Sequence, residues 1–248
     1  MSVKAGQDQE FANQHSGAII CVSQSVYRAI QAYLDSQKIH IVYNPVPNLE
    51  SYRIIEHTPI NTVLILGFVG NITPHKRPQD AIKTLALVRE AGIDARLLIA
   101  GKAEENYLIQ LHKLTNDLGV ADFVQWLGFV DNMSLVYKQI DIYISCSYGE
   151  GFSLAVIEAM ASACAIVATR QGGSSEIIEH AVNGFLFDAE DVDELSKYVL
   201  KLADDLRLLA IMQQKARESV IDTYTLASYI DQLETILRSL LKSKISTH

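Results

Sequence analysis

Two glutamates, Glu150 and Glu158, have the residue type and spacing to bind the hydroxyl groups of a ligand such as a sugar. Glu150 stands between two glycines in the segment SYGEGFSL, and Glu158 follows in AVIEAM. A buried carboxylate recognises hydroxyls selectively, because an analogue that lacks the hydroxyl leaves the acceptor unpaired. We expect both carboxylates to face one cavity.

The same glutamates also have simpler interpretations. Glu150 could only stabilise the start of a helix through its charge, and Glu158 could face solvent. However, the helix around Glu158 is apolar on nearly all sides, so a carboxylate there needs a polar partner. The functional interpretation is therefore favoured.

Main-chain N–H groups next to Glu150 provide a second kind of chemistry. A helix is predicted from about Ser153 to Ala161, and the first amides of a helix have no partner within it. Such amides favour an anion. The amides from about Phe152 to Ala155 would suit a diphosphate.

A second loop, GFVGNITPHKRP at residues 67–78, joins a strand to a helix. Its glycines allow close approach of a ligand to the backbone, and Lys76 and Arg77 add positive charge near the helix start. The loop matches neither the dinucleotide pattern Gly-x-Gly-x-x-Gly nor a phosphate loop with Gly-Lys-Ser/Thr. A solvated basic turn would explain it equally well.

A third loop, TRQGGSSE at residues 169–176, also precedes a short helix. We expect Ser174 or Ser175 to cap that helix and Arg170 to lie at the rim of a pocket. A plain connection between a strand and a helix explains the other residues adequately.

Six short apolar segments position these loops and alternate with helical patterns. Near-continuous apolar strands are typical of a doubly wound α/β fold, a Rossmann-like parallel sheet buried on both faces. Ligands bind such sheets at the carboxyl ends of the strands, where the three loops lie. The predicted strands are Val63–Phe68, Arg96–Ala100, Phe123–Leu127, Ile142–Cys146, Ala165–Ala168 and Phe185–Phe187.

Several residues also predict where helices begin and end. Pro78 suits the first turn of one helix, and Asp191 with Glu194 three residues later resembles a capping box. Two further helices are expected near Leu208–Val220 and Leu226–Leu241.

Residues 1–59 differ from the main domain, residues 60–248. One strand–helix–strand unit cannot bury a core alone, so this part must dock on the main domain or on a domain outside the sequence. Its predicted elements are a strand at Ala18–Val22, a helix at Gln24–Leu34, a strand at Ile39–Tyr43 and a polar linker at Asn48–Pro59.

The composition restricts the class of protein. The net charge of −8 opposes the basic surface that nucleic-acid binding requires. The three cysteines suggest buried thiols rather than zinc or disulfides. No apolar run reaches the roughly 18 residues of a transmembrane segment, and no secretion signal opens the sequence. We expect a cytoplasmic protein, at most peripheral at the inner membrane.

Seven motifs in a fixed order resemble the GT-B glycosyltransferases related to glycogen synthase and the phosphatidylinositol mannosyltransferases. The resemblance covers about residues 60–240 and includes the family's signature of two glutamates with seven residues between them, Glu150 and Glu158. The motifs are GNIxxxK, LLIAG, WLGFVDN, DIYISCS, EGFSLAVIEAMAS, GGSSEII and NGFLF.

The resemblance implies the C-terminal, donor-binding half of a retaining hexosyltransferase. The donor would be a UDP- or GDP-sugar, with no metal or cofactor, and the acceptor a glycan or lipid-linked molecule in polysaccharide or glycolipid assembly. It implies Lys76 and Glu150 as catalytic residues, with Lys76 on the diphosphate and Glu150 on the donor sugar. The implied donor-binding residues are Gly70, Asn71, Lys76, Arg77, Gly101, Phe129 and Val130 beside the base, Glu150, Gly151, Phe152, Ser153, Leu154, and Glu158 on the ribose.

Two features depart from the family's pattern. Asn71 stands where an arginine usually precedes the lysine by five residues, so one diphosphate cation is missing and Arg77 or another residue must compensate, or transfer is weaker. Residues 1–59 resemble only the last strand–helix–strand of a first domain that would hold the acceptor. We therefore expect little or no transfer by this chain alone.

Other functions stay open. A sugar-nucleotide epimerase can share the architecture, although the spacing of Glu150 and Glu158 favours a transferase. The short N-terminal part would suit a non-catalytic nucleotide-sugar-binding or partner module. A dehydrogenase fits least, because the dinucleotide glycine pattern is absent.

Overall fold

A parallel six-stranded sheet forms the centre of the molecule. The structure is a computed structural model that describes residues 3–52 and 63–245. All six predicted strands are confirmed to within one residue at each end. They are β3 (Leu64–Val69), β4 (Ala95–Ala100), β5 (Val124–Gly128), β6 (Ile142–Ser145), β7 (Ala165–Thr169) and β8 (Phe185–Phe187).

The strand order places two of the candidate loops side by side. The sheet runs β5-β4-β3-β6-β7-β8, and every neighbouring pair is parallel. The chain therefore leaves β3 in one direction and returns to its other side at β6, which creates a switch point between these strands. The loops after β3 and β6 meet there, and the Tyr148 amide donates to the His75 carbonyl over 2.9 Å.

Helices cover both faces of the sheet, because successive strand residues point to opposite sides. The helices of the main domain are α3 (Pro78–Glu90), α4 (Glu105–Asp117), α5 (Ser134–Tyr137), α6 (Leu154–Ala161), α7 (Ser174–Ile177), α8 (Val192–Asp204), α9 (Leu206–Ile221) and α10 (Leu226–Ile245). Leu97 and Ile99 pack in a core with α3, α4 and α8. Leu98 and Ala100 pack in a second core with α6 and the later turns of α9.

The helix starts confirm one prediction, confirm a second in part and correct a third. Pro78 is the first residue of α3, and Asp191 accepts from the Glu194 amide at the start of α8. The Glu194 carboxylate, however, accepts from the Asp188 amide. The prediction that Ser174 or Ser175 caps α7 is wrong: Gly173 is the N-cap, and no side chain caps the helix.

An N-terminal unit, residues 3–52, forms a separate small sheet. Its strands β1 (Ile19–Cys21) and β2 (Ile39–Ile41) are parallel, with α2 (Gln24–Ile30) between them. The predicted strand–helix–strand is thus confirmed, although α2 ends before Leu34. The helix α1 (Val3–His15) was not predicted, because its sequence VKAGQDQEFANQH is mostly polar.

The N-terminal unit docks on the main domain. The Val46 amide donates to the Tyr224 carbonyl over 2.8 Å, and the Tyr43 ring lies 5.6 Å from the Phe152 ring and 5.9 Å from the Tyr224 ring. A Cβ on Gly17 would lie 3.5 Å from Leu240 of α10. Most of the predicted linker falls outside the described residues, and its described part ends in a 3-10 turn at Leu49–Tyr52.

The three cysteines are buried free thiols, as expected. Across residues 3–52 and 63–245, no helix has both the length and the apolar character that crossing a membrane requires.

Candidate functional site

Lys76 and Glu150 form an ion pair between the two adjacent loops. The distance from Lys76 Nζ to Glu150 Oε1 is 2.5 Å, and the two side chains are 18% and 22% exposed. The other carboxylate oxygen, Oε2, is buried and accepts no hydrogen bond from the described residues. A buried acceptor without a donor is costly, so Oε2 is suited to a hydroxyl brought by a ligand.

The backbone beside Lys76 leaves room for such a ligand. Lys76 ends a 3-10 turn, and Arg77 follows in the left-handed region with φ 53°. A Cβ on Gly70, where φ is 142°, would meet no atom within 4 Å. Gly101 allows a close backbone contact, because a Cβ there would lie 1.8 Å from the Gly70 carbonyl oxygen; its donor-binding role stays a prediction.

Arg77, the expected replacement for the missing arginine, is held by two carboxylates. Its guanidinium donates to Asp80, which is buried, and to Glu190. The hydrogen bond to Asp80 and the negative charges of Asp80 and Glu190 raise the pKa of Arg77. The two carboxylates offset the charge of Arg77 and engage each of its three nitrogens, whereas Lys76 pairs with Glu150 of the candidate site itself. Asn71 beside the site is exposed.

The start of α6 presents main-chain donors next to Glu150. Ser153 is the N-cap, and its Oγ accepts from the Val156 amide over 3.4 Å. Within the described chain, the amides of Phe152, Ser153 and Leu154 donate to no protein acceptor. The Phe152 ring packs against the rings of Tyr43 and Tyr224, with centroid distances of 5.6 and 5.7 Å. These amides therefore remain available for an anion.

The third loop supports the second, a role that the sequence did not indicate. The Gly173 amide donates to the Glu150 carbonyl over 2.9 Å. A Cβ on Gly172 would lie 1.9 Å from that same carbonyl oxygen, and a Cβ on Gly173 would lie 2.5 Å from the Gly151 carbonyl oxygen. Two glycines are needed here so that the loops can touch, and this contact fixes the position of Glu150.

Glu158 has the polar partner that its apolar helix predicted. The Tyr137 hydroxyl donates to Glu158 Oε2 over 2.9 Å, so the solvent-facing interpretation is wrong. Burial raises the pKa of the Glu158 carboxyl, and hydrogen bonds from Tyr137 and Tyr52 lower it less than burial raises it. No local pattern indicated either tyrosine, since neither belongs to a motif around Glu158.

Phe129 and Val130 lie on the loop after β5. The Phe129 ring is 63% exposed, and Lys102 Nζ lies 4.7 Å from its centre. Val130 is partly buried against the core. An exposed ring beside a cation can stack on a base, and the role of this loop stays a prediction.

Glu176 is a residue of the third loop that the sequence analysis missed. It accepts hydrogen bonds from the amides of Gln24 and Ser25, over 2.7 and 2.6 Å, and from the Tyr43 hydroxyl over 3.0 Å. Burial and this last bond raise the pKa of Tyr43 to about 12. Glu176 therefore ties the N-terminal unit to the loop that supports Glu150.

Known proteins resemble this chain in sequence and in fold. Two curated relatives are the N-acetyl-alpha-D-glucosaminyl L-malate synthase of Bacillus anthracis and a D-inositol 3-phosphate glycosyltransferase of Pseudarthrobacter chlorophenolicus. They are 28% identical over 94% of this chain and 34% identical over 66% of it. The chain spans only 62% and 42% of their lengths.

A solved structure of Anabaena Alr3699/HepE in complex with UDP and glucose has the same fold. It superimposes with a TM-score of 0.88 at 23% identity, and the match covers 96% of this chain and 68% of that one. The family model described as glycosyl transferases group 1 matches residues 53–219, more than half of the chain. The chain belongs to the glycosyl transferases group 1 family.

Proposed function

We propose that this chain is the donor-binding half of a retaining hexosyltransferase that uses a UDP- or GDP-linked sugar. The observation that carries the proposal is the geometry of Glu150. One of its oxygens pairs with Lys76, and the other is a buried acceptor without a donor, beside the free amides that start α6. A cation, free amides and an acceptor that lacks a donor match a diphosphate joined to a sugar.

These groups have distinct tasks in the proposed transfer. The bond between sugar C1 and the diphosphate oxygen breaks, and the electron pair leaves with the nucleoside diphosphate. The acceptor hydroxyl oxygen bonds to C1 on the same face and gives its proton to the departing phosphate. Lys76 and the α6 amides stabilise the leaving charge, so the chain needs no metal or cofactor for this task. Glu150 orients the sugar, and Glu158 accepts from the ribose hydroxyls.

The comparisons support the substrate class in this proposal. The Anabaena neighbour was solved with UDP and glucose, and an Escherichia coli relative at 21% identity is a UDP-Gal-dependent galactosyltransferase by name. A glycan or lipid-linked acceptor and assembly of a polysaccharide or glycolipid complete the proposal.

Calorimetry with UDP, GDP and ADP tests the proposal. We expect one of the first two to bind, and its sugar conjugates to be screened next. A conjugate that binds more tightly than its nucleotide should lose that advantage in Glu150→Gln, because the amide cannot offer the same acceptors. Glu179→Gln, an exposed glutamate outside the site, is the matched control. No heat from any nucleotide at about 1 mM would overturn the proposal.

A non-catalytic nucleotide-sugar-binding module is the second candidate. It is favoured by the charges around the loop after β3, where Asp80 and Glu190 engage Arg77 and leave Lys76 as the cation beside Glu150. Release of nucleotide from a bound sugar nucleotide on adding acceptors favours the transferase. Tight binding without any release across a range of acceptors favours the module.

A further inference from the structure

A polar cavity lies between α2 of the N-terminal unit and the third loop of the main domain. Its volume is about 340 Å³, and the side chains that matter for its chemistry are Arg28, Arg170, Ser25, Gln171 and Glu176. Lys76, Glu150 and Glu158 do not line it. It adjoins their site, however, because Gly172 lines the cavity and its backbone touches the Glu150 carbonyl.

The charge that the cavity offers to a ligand is positive. Glu176 is the one acid among the lining residues, and both of its oxygens already accept hydrogen bonds from the protein. Its charge therefore serves to hold α2. The two lining guanidinium groups, Arg28 and Arg170, have no such commitment to a buried acid.

Each guanidinium has donors to spare. Arg28 is exposed and forms no ion pair within the described residues. Arg170 donates through Nη2 to the Leu186 carbonyl over 2.9 Å and through Nε to Asp188 over 3.3 Å. The Asp188 side chain is 76% exposed, so that pair is weak. The carbonyl contact orients Arg170, and its Nη1 remains open.

We propose that this cavity binds an oxyanion, a phosphate or a carboxylate, carried by the molecule that receives the sugar. Two guanidinium groups bind either oxyanion through paired N–H donors, and Ser25 and Gln171 can add neutral donors. The identification of the ligand as the acceptor rests on the proposed function. The binding of the oxyanion rests on the cavity alone.

Calorimetry with glycerol 3-phosphate and with L-malate tests this site. Both probes are titrated into the full chain with UDP present, which fills the diphosphate site, and into Lys76→Ala without UDP. We expect millimolar binding of at least one probe in both samples. Arg28→Gln and Arg170→Gln should each weaken it by roughly tenfold. Arg207→Gln, on the exposed start of α9, should leave it unchanged.

The outcomes separate the two proposals. Binding of glycerol 3-phosphate alone assigns a phosphate, and binding of L-malate alone assigns a carboxylate. UDP binding without an effect of Arg28→Gln or Arg170→Gln on either probe overturns the oxyanion site only. Probe binding that depends on both arginines, in a chain that binds no nucleotide, overturns the donor site only.

The control variant tests for non-specific binding. Equal weakening by Arg207→Gln would show non-specific attraction and would overturn the oxyanion site. Arg28 is exposed, so Arg28→Gln tests the site without a folding defect.

Discussion

At the scale of single residues, the candidate site depends on acceptors and donors that the protein itself leaves unpaired. Glu150 Oε2 and the amides of residues 152–154 have no described partner, and nearly all buried polar groups in proteins do have one. Such groups are stabilised when a ligand arrives, so binding should be favourable even though the net charge of the chain is −8. Lys76 supplies the local positive charge.

Tyr137 should control the pH at which nucleotide binding is lost. In the proposed site, ribose hydroxyls would donate to ionised Glu158. We therefore expect UDP binding to weaken as the pH falls through the pKa of this carboxyl, which burial has raised. The Tyr137 hydroxyl lowers that pKa. Tyr137→Phe should therefore raise it further, and UDP affinity should fall at a higher pH than in the wild type.

Calorimetric titrations of UDP at several values between about pH 8 and pH 5 measure this shift. The phosphates of UDP titrate alike in every sample, so only the difference between variants counts. Tyr33→Phe, half exposed on the N-terminal unit, is the control. A pH profile of Tyr137→Phe that coincides with the wild type would contradict the assigned role of Glu158.

At the scale of elements, three loops form one assembly at the carboxyl edge of the sheet. The loop after β3 contacts the loop after β6 through His75 and Tyr148. The loop after β7 contacts the loop after β6 through Gly172 and Gly173. Because β3 and β6 pair side by side and the glycines allow backbone contact, Lys76 and Glu150 are held together without a ligand.

Glu176→Ala should loosen α2 from the main domain. The change leaves the amides of Gln24 and Ser25 without their acceptor, at a cost of about 1–3 kcal/mol. Hydrogen exchange at these two amides should become faster, while exchange at Val167 in β7 should stay slow. Glu179→Ala removes an exposed carboxylate from the same region and should change neither. Unchanged exchange at Gln24 and Ser25 would show that Glu176 does not hold α2.

At the scale of the whole molecule, the sequence predicted the elements that are formed by residues close together in the chain. The six strands of the main domain are apolar runs buried on both faces, and such runs are visible in one dimension. The contact between Glu176 and Gln24 joins residues 152 positions apart, and no local pattern encodes it. The bond from Tyr137 to Glu158 was hidden for the same reason. The α7 cap was mispredicted because Gly173, held against Gly151, takes the position that a serine usually prefers.

The N-terminal unit contributes residues beside the candidate site and in the polar cavity next to it. It packs beside Phe152 through Tyr43 and lines the polar cavity through Ser25 and Arg28. The sequence predicted that this unit must dock, since a strand–helix–strand has too little core to fold alone. It did not predict which residues form the contact. The proposed oxyanion site exists only where the two parts of the chain meet.

Binding of UDP to the wild type, Lys76→Ala and Lys83→Ala, measured by calorimetry, tests the donor site most directly. Lys83 is an exposed lysine on α3, outside the candidate site. We predict that the wild type and Lys83→Ala bind equally, and that Lys76→Ala binds roughly 10- to 100-fold more weakly, because a charge-assisted contact to the diphosphate is lost. Equal affinity of Lys76→Ala and the wild type, or no binding by the wild type, would contradict the proposed donor site.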